Sequence, residues 1–140
     1  MNRVVLVTGA CGGIGSVLCR RFVEQGDTVL ALDIDAVALH GLAAQLGVAH
    51  VTPITADLGD AAAVQQAVAG AVKSRGPVDV LVANAGAAEG LTLATTDAAS
   101  WQRDIHLNLN GTYHTVEAVR ASMIERRQGA LVLIGSVNGM

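Results

Sequence analysis

Charge is scarce in this chain. Charged residues make up 15% of its 140 positions, against 51% hydrophobic. That balance excludes disorder, which needs low hydrophobicity and high charge. A surface with so few charges must present Ala, Gly, Ser and Thr, or be covered by something. The 24 alanines and 16 glycines supply the small residues, and with them close helix–strand contacts and tight turns. The 9 basic and 12 acidic residues leave a net charge of -3, and no Lys/Arg cluster marks a phosphate-backbone footprint. Nucleic acid is therefore not an expected partner. Cysteine is limited to Cys11 and Cys19, which do not make a disulfide framework. No apolar run is long enough to span a bilayer, and no basic stretch leads an apolar one in the manner of a signal peptide. His40, His50, His106 and His114 fall at no usual metal-ligand spacing, so no metal is expected. What remains is a soluble protein of a reducing compartment, expected in the cytoplasm, with one domain over residues 1–140.

What is present is a rhythm. Apolar, β-branched runs at 3–8, 28–32, 48–54, 78–83 and 130–134 read as strands. Between them, 14–25, 35–46, 60–75 and a long stretch over 97–127 read as helices, bounded by glycines and aspartates. Pro53 places the third strand near an edge. Gly86 and Gly90 mark a loop after the fourth strand. The alternation predicts an α/β fold, a parallel sheet of five strands covered on both faces by helices. No linker or charge block divides it.

The turn between the first strand and first helix reads Thr8-Gly9-Ala10-Cys11-Gly12-Gly13-Ile14-Gly15. Such a turn allows a backbone to approach a pyrophosphate, with the free N–H groups of the helix start facing the anion. A tight turn with no ligand is the bland alternative. Gly15 is expected to let the helix pack closely, and Ile14 to cover the cofactor. The same helix-start N–H groups would lower the pKa of Cys11 and raise its reactivity. Cys19 reads as helix packing. No Lys-Ser/Thr follows the last glycine, so this is not a P-loop. The pattern T-G-x-x-x-G-x-G, over Gly9, Gly13 and Gly15, resembles the short-chain dehydrogenase/reductase family, which implies a Rossmann-like doubly wound parallel sheet with its five strands in the order 3-2-1-4-5, stopping before any later strands.

Asp33 closes the second strand. A carboxylate there accepts both hydroxyl hydrogens of an adenosine ribose and repels a 2'-phosphate. No basic residue follows in Ile34-Asp35-Ala36, so NAD is expected over NADP. A solvated strand-end Asp is the alternative, and Asp35 reads as a helix N-cap. The resemblance implies that Asp57 accepts from the adenine amino group and that Leu58 supplies apolar contact. Asn84-Ala85-Gly86 is similar to the family's N-N-A-G, with Ala83 at the first Asn position. The Asn84 amide can tie adjacent strand ends together through both donor and acceptor. Gly86 allows close approach to the cofactor ribose.

Asn108 and Gly111 sit inside the long helix, where both residue types are poor formers. A kinked helix with satisfied amides is one explanation. The resemblance to the family's N-x-x-G implies that Asn108 holds a helix distortion and a proton-relay water. It also implies that Ser136, at the end of the fifth strand, orients and polarises a substrate carbonyl or alcohol. The family's acid/base is a Tyr with a Lys four residues on. Here the only Tyr is Tyr113, with Glu117 at that offset, and the only Lys is Lys73. Tyr113 therefore reads as packing, and the Tyr–Lys pair is expected beyond Met140, in a longer polypeptide. An apolar face formed by Ala98, Ala99, Trp101, Ile105, Leu109 and Val116 implies, by the same resemblance, a homodimer or homotetramer, with a role in the core alone as the alternative.

The function expected is hydride transfer between nicotinamide and an alcohol or ketone by an NAD-dependent oxidoreductase. This stretch alone is expected to be inactive. The alternative is a dinucleotide-binding module without turnover. A methyltransferase-like nucleotide binder shares the glycine loop and acidic strand end, but the joint presence of Asp57-Leu58, Asn84 to Gly86, Asn108 to Gly111 and Ser136 argues against it.

Overall fold

The computed structural model describes residues 2–88, 92 and 94–136. Its strands are β1 (Val4–Thr8), β2 (Thr28–Asp33), β3 (Val51–Thr55), β4 (Val80–Ala83) and β5 (Ala130–Leu133). The helices are α1 (Gly13–Glu24), α2 (Ala36–Leu46), α3 (Ala61–Arg75), α4 (Ala98–Asp104) and α5 (Gly111–Arg126), and a π-helical segment, Ile105–Asn110, joins the last two. The strands form one parallel sheet in the order β3-β2-β1-β4-β5, as expected from the family resemblance.

Side-chain alternation along the strands sorts the core into two layers. Val5, Val7, Val29 and Ala31 point to one face and meet Cys19 of α1 with Leu39 and Ala43 of α2. Leu6, Leu30, Leu32 and Leu81 point to the other and meet Val64 and Val68 of α3 with Val119 and Met123 of α5. Each Val or Leu fully buried this way stabilises the fold by roughly 1.5–3 kcal/mol relative to exposure. Val5 is in register with Val29 on one side and Val80 on the other. The chain runs outward from β1 through β2 to β3, then returns to β4 across β1. This reversal opens a crevice at the carboxyl ends of β1 and β4, where ligands bind in open α/β sheets.

Three expectations need correction. The third strand starts at Val51 rather than at 48, because the backbone N–H groups of His50 and Val51 fold back onto the Gly47 carbonyl. The long helix is interrupted by the π-helical segment, which sits where Asn108, Asn110 and Gly111 weaken α-helical geometry. The fifth strand, read as buried, is exposed along all four residues. Gly90 lies outside the described residues. Among the described residues, no helix is long and apolar enough to cross a membrane.

Candidate functional site

The helix starts divide into two kinds. Asp35, Asp60 and Asp97 cap α2, α3 and α4, each side chain accepting from the backbone N–H of Ala38, Ala63 and Ser100 respectively. These caps satisfy donors that the helix leaves orphaned. α1 starts instead at Gly12, with no side-chain cap and no acidic residue in its first turn. Its positive dipole end is left open to an anion.

Two glycines make the turn before α1 possible. Gly9 has φ of +61°, and a Cβ there would lie 2.9 Å from the Ala85 Cα. A Cβ on Gly15 would overlap the Gly9 carbonyl. Gly15 is thus a packing residue that draws the helix onto the turn. Gly86 has a similar constraint, since its Cβ would stand 2.9 Å from the Asn108 Oδ1.

A network of hydrogen bonds ties the β1 and β4 ends together. The Asn84 Nδ2 donates to the carbonyls of Thr8 at 3.0 Å and Gly9 at 3.3 Å. The Thr8 hydroxyl oxygen accepts from the backbone N–H of Asn84 and of Ala85, each at 3.0 Å. The Asn84 amide thus joins the strand ends through its donor, with no bond to its oxygen among the described residues. The sequence reading assigned Thr8 no role of its own, although it opens the glycine motif.

Asp33 is held as firmly. Its Oδ2 accepts the Cys11 N–H at 3.0 Å, and its Oδ1 accepts from Ile34 at 2.8 Å and Asp35 at 3.2 Å. Oδ1 is taken by its two donors, and Oδ2 keeps a lone pair for a further donor. The expectation for Cys11 is overturned. Its thiol is pushed up to about 11, first by burial and then by the negative charges of Asp33 and Asp35. Burial and the two carboxylates act in the same direction. Cys19, buried in the core, is pushed up to about 12. Both cysteines are free thiols.

These groups surround a cavity of about 920 Å³. It is lined by Gly9, Cys11, Gly12, Gly13 and Ile14 from the turn, and by Asp33, Asp57, Leu58, Asn84, Ala85 and Gly86 from strand ends. Ile14 is 61% exposed and free to cover a ligand. The lining also includes Ile34, Asp35, Ala38, Ala87, Arg103, Asp104 and Leu107, which sequence reasoning gave no place in the site. Asp35 is therefore both a helix cap and a cavity wall. Its short distance in sequence from Asp33 was the available signal.

Asn108 does not line the cavity but holds a wall of it. Its Oδ1 accepts the Ala87 N–H at 3.1 Å, and its Nδ2 donates to the Ala87 carbonyl at 2.7 Å. Its own carbonyl accepts from the Thr112 hydroxyl at 2.8 Å. Ser136 follows β5 on the exposed edge and is also outside the cavity lining. Among the described residues no His/Cys/Asp/Glu group forms a metal site.

The geometry fits a dinucleotide: an open helix N-terminus, glycines where a Cβ would fill the turn, and a fixed carboxylate beside them. The chain matches the short chain dehydrogenase family model over residues 3–140. It is 40% identical to an uncharacterized oxidoreductase, C922.06, of Schizosaccharomyces pombe, over 99% of this chain and 51% of that protein. An oxidoreductase of the short chain dehydrogenase/reductase family from Burkholderia thailandensis is similar at 51% identity and a TM-score of 0.90, covering 99% of this chain and 53% of its own. An NAD+-bound xylitol dehydrogenase is similar at 28% identity and a TM-score of 0.92, covering 98% of this chain and 54% of its own. The chain spans about half the length of the curated relatives it matches.

Proposed function

The chain belongs to the short-chain dehydrogenase family, and on that premise we propose that it is the NAD-binding part of an oxidoreductase acting on an alcohol or ketone. The observation that carries this reading is Asp33. Its carboxylate is fixed by three backbone N–H groups at the mouth of the glycine turn, with Asp35 also on the cavity wall. A ribose with free hydroxyls fits that acceptor, and a 2'-phosphate meets two negative charges.

In this reading the open end of α1 and the turn from Gly9 to Gly13 hold the pyrophosphate. Asp57 and Leu58 flank the adenine, and Asn84, Ala85 and Gly86 flank the second ribose. NAD, when bound, supplies the hydride acceptor or donor. Asn108 positions the Ala87 wall, and the Ser136 hydroxyl orients the substrate oxygen. The apolar face with Trp101 and Leu109, 57% and 61% exposed, suits pairing with a second copy. The free thiols of Cys11 and Cys19 suit the cytoplasm.

A second reading, dinucleotide binding without turnover by this chain alone, is supported by Tyr113. It stands 58% exposed on α5, outside the cavity lining, with Glu117 rather than a lysine one turn on. Titration with NAD and NADP tests the shared premise. NAD is expected to bind at least about tenfold tighter, a difference of about 1.4 kcal/mol. Tighter binding of NADP would remove the assignment of Asp33.

A further inference from the structure

The 57–59 segment forms the wall of the cavity beyond β3, and it is anchored from the far side of the chain. Within it, the Asp57 Oδ1 accepts the Gly59 N–H at 2.8 Å, and the Asp57 carbonyl accepts the Asp60 N–H at 3.0 Å. These local bonds shape the turn but leave the Leu58 carbonyl unused. Leu58 is only 6% exposed, so water is a poor substitute partner for that carbonyl.

The partner comes from α5. The His114 Nδ1 lies 2.7 Å from the Leu58 carbonyl oxygen. A carbonyl only accepts, so the ring carries its hydrogen on Nδ1. Two further contacts come from the same stretch of helix. The His106 ring packs where a Cβ on Gly59 would stand, and a Cβ on Gly111 would lie 2.9 Å from the Leu58 Cβ. The π-helical segment and α5 thus hold the two walls of the crevice between them. Asn108 takes Ala87 on the β4 side, and His114 takes Leu58 on the β3 side.

We propose that His114 is a positioning residue for the adenosine end of the cleft, acting through the Leu58 carbonyl to keep Asp57 and Leu58 in their binding arrangement. The inference rests on the dinucleotide reading above. It assigns His114 no contact with the ligand. Removing the donor leaves a shielded carbonyl to turn toward solvent, and the wall moves with it.

Half-ligands separate this from a general loss of fold. 5'-AMP probes the β3 side, and nicotinamide mononucleotide probes the β4 side. Their affinities for the full chain are measured by NMR titration, for the unaltered protein, His114→Leu and His114→Asn. Asparagine carries an amide N–H close to the position of Nδ1. The expected result is an AMP affinity about tenfold weaker in His114→Leu, restored to within about twofold in His114→Asn, with nicotinamide mononucleotide unchanged throughout. An unchanged AMP affinity in His114→Leu overturns the proposal. So does a parallel loss of both half-ligands, or a failure of Asn to restore. If the unaltered chain binds neither half-ligand, the dinucleotide reading itself falls, and this inference falls with it.

Discussion

β1 and β5 are short apolar strands of the same parallel sheet, both next to or one strand from β4, and their surroundings differ completely. Val5, Leu6 and Val7 are each 0% exposed, covered by α1 and α2 on one face and by α3 and α5 on the other. Leu131 and Leu133, on one face of β5, and Val132, on the other, are all exposed. Among the described residues the strand is paired only with β4. The difference is inherited by what stands at each strand's end. The turn after β1 is locked by Thr8, Asn84 and Asp33 through backbone hydrogen bonds. Ser136 follows β5, whose four residues are exposed. Among the described residues the cofactor end is the preorganised end, and the strand leading to the proposed catalytic serine is exposed on both faces.

The sharpest way to break this comparison uses two leucines in register with each other, Leu81 of β4 and Leu131 of β5. Leu81 is 0% exposed and Leu131 is 47% exposed. Leu81→Ala is expected to cost about 3 kcal/mol, from lost burial and the cavity left behind. Leu131→Ala is expected to cost under about 1 kcal/mol. Urea denaturation of both variants makes the check. Equal losses would mean that β5 is covered in solution, by a second copy or otherwise.

How much of this was legible depends on the distance over which each interaction acts. The glycine turn, Asp33 and the aspartate caps are local, so their spacing declares them. Alternation and right-handed crossovers pointed to a parallel sheet, and the resemblance to the family supplied its strand order. The residues that escaped notice act across the fold. The hydrogen bond from His114 to Leu58 joins residues 56 apart, and nothing in helical periodicity marks it. Cys11 was misread for the same reason. Its helix-start position was visible, whereas its burial and the proximity of Asp33, 22 residues on, depend on how the chain folds. β5 misled because its apolar run resembles that of a covered strand. Periodicity reports which residues can be buried, not whether a neighbour is there to bury them.

The thiols sharpen the comparison on the buried side. With its pKa at about 11, Cys11 is expected to react with iodoacetamide roughly a hundredfold slower at neutral pH than an unperturbed thiol. The rate should climb with pH toward that value. Cys19, pushed up to about 12 and enclosed by the α1 core, should be slower still. Rapid modification of Cys11 at neutral pH would show that the wall carrying Asp33 opens readily. In that case the cofactor end is no more rigid than the β5 edge.

The smallest effect lies at the opposite end of the same covered strands. Asp27, just before β2, is 1% exposed and accepts from the Arg3 backbone N–H and Nε, each at 3.1 Å. The hydrogen bonds from the Arg3 side chain hold its carboxyl below the ordinary carboxylate range, with burial opposing them. The folded chain therefore ionises Asp27 more readily than the unfolded chain does. Its contribution to stability is fully present above the unfolded value of about 3.9 and disappears as pH falls through the lower folded value. Between pH 7 and 5 this pair should leave stability unchanged. Below about pH 4 the unaltered chain should lose stability more steeply than Asp27→Asn, which has no proton to take up there. Urea midpoints measured across that range decide the matter. Parallel acid slopes for the two proteins would show that the ion pair at the foot of β1 and β2 is solvated, and that burial of these strands does not extend to their amino ends.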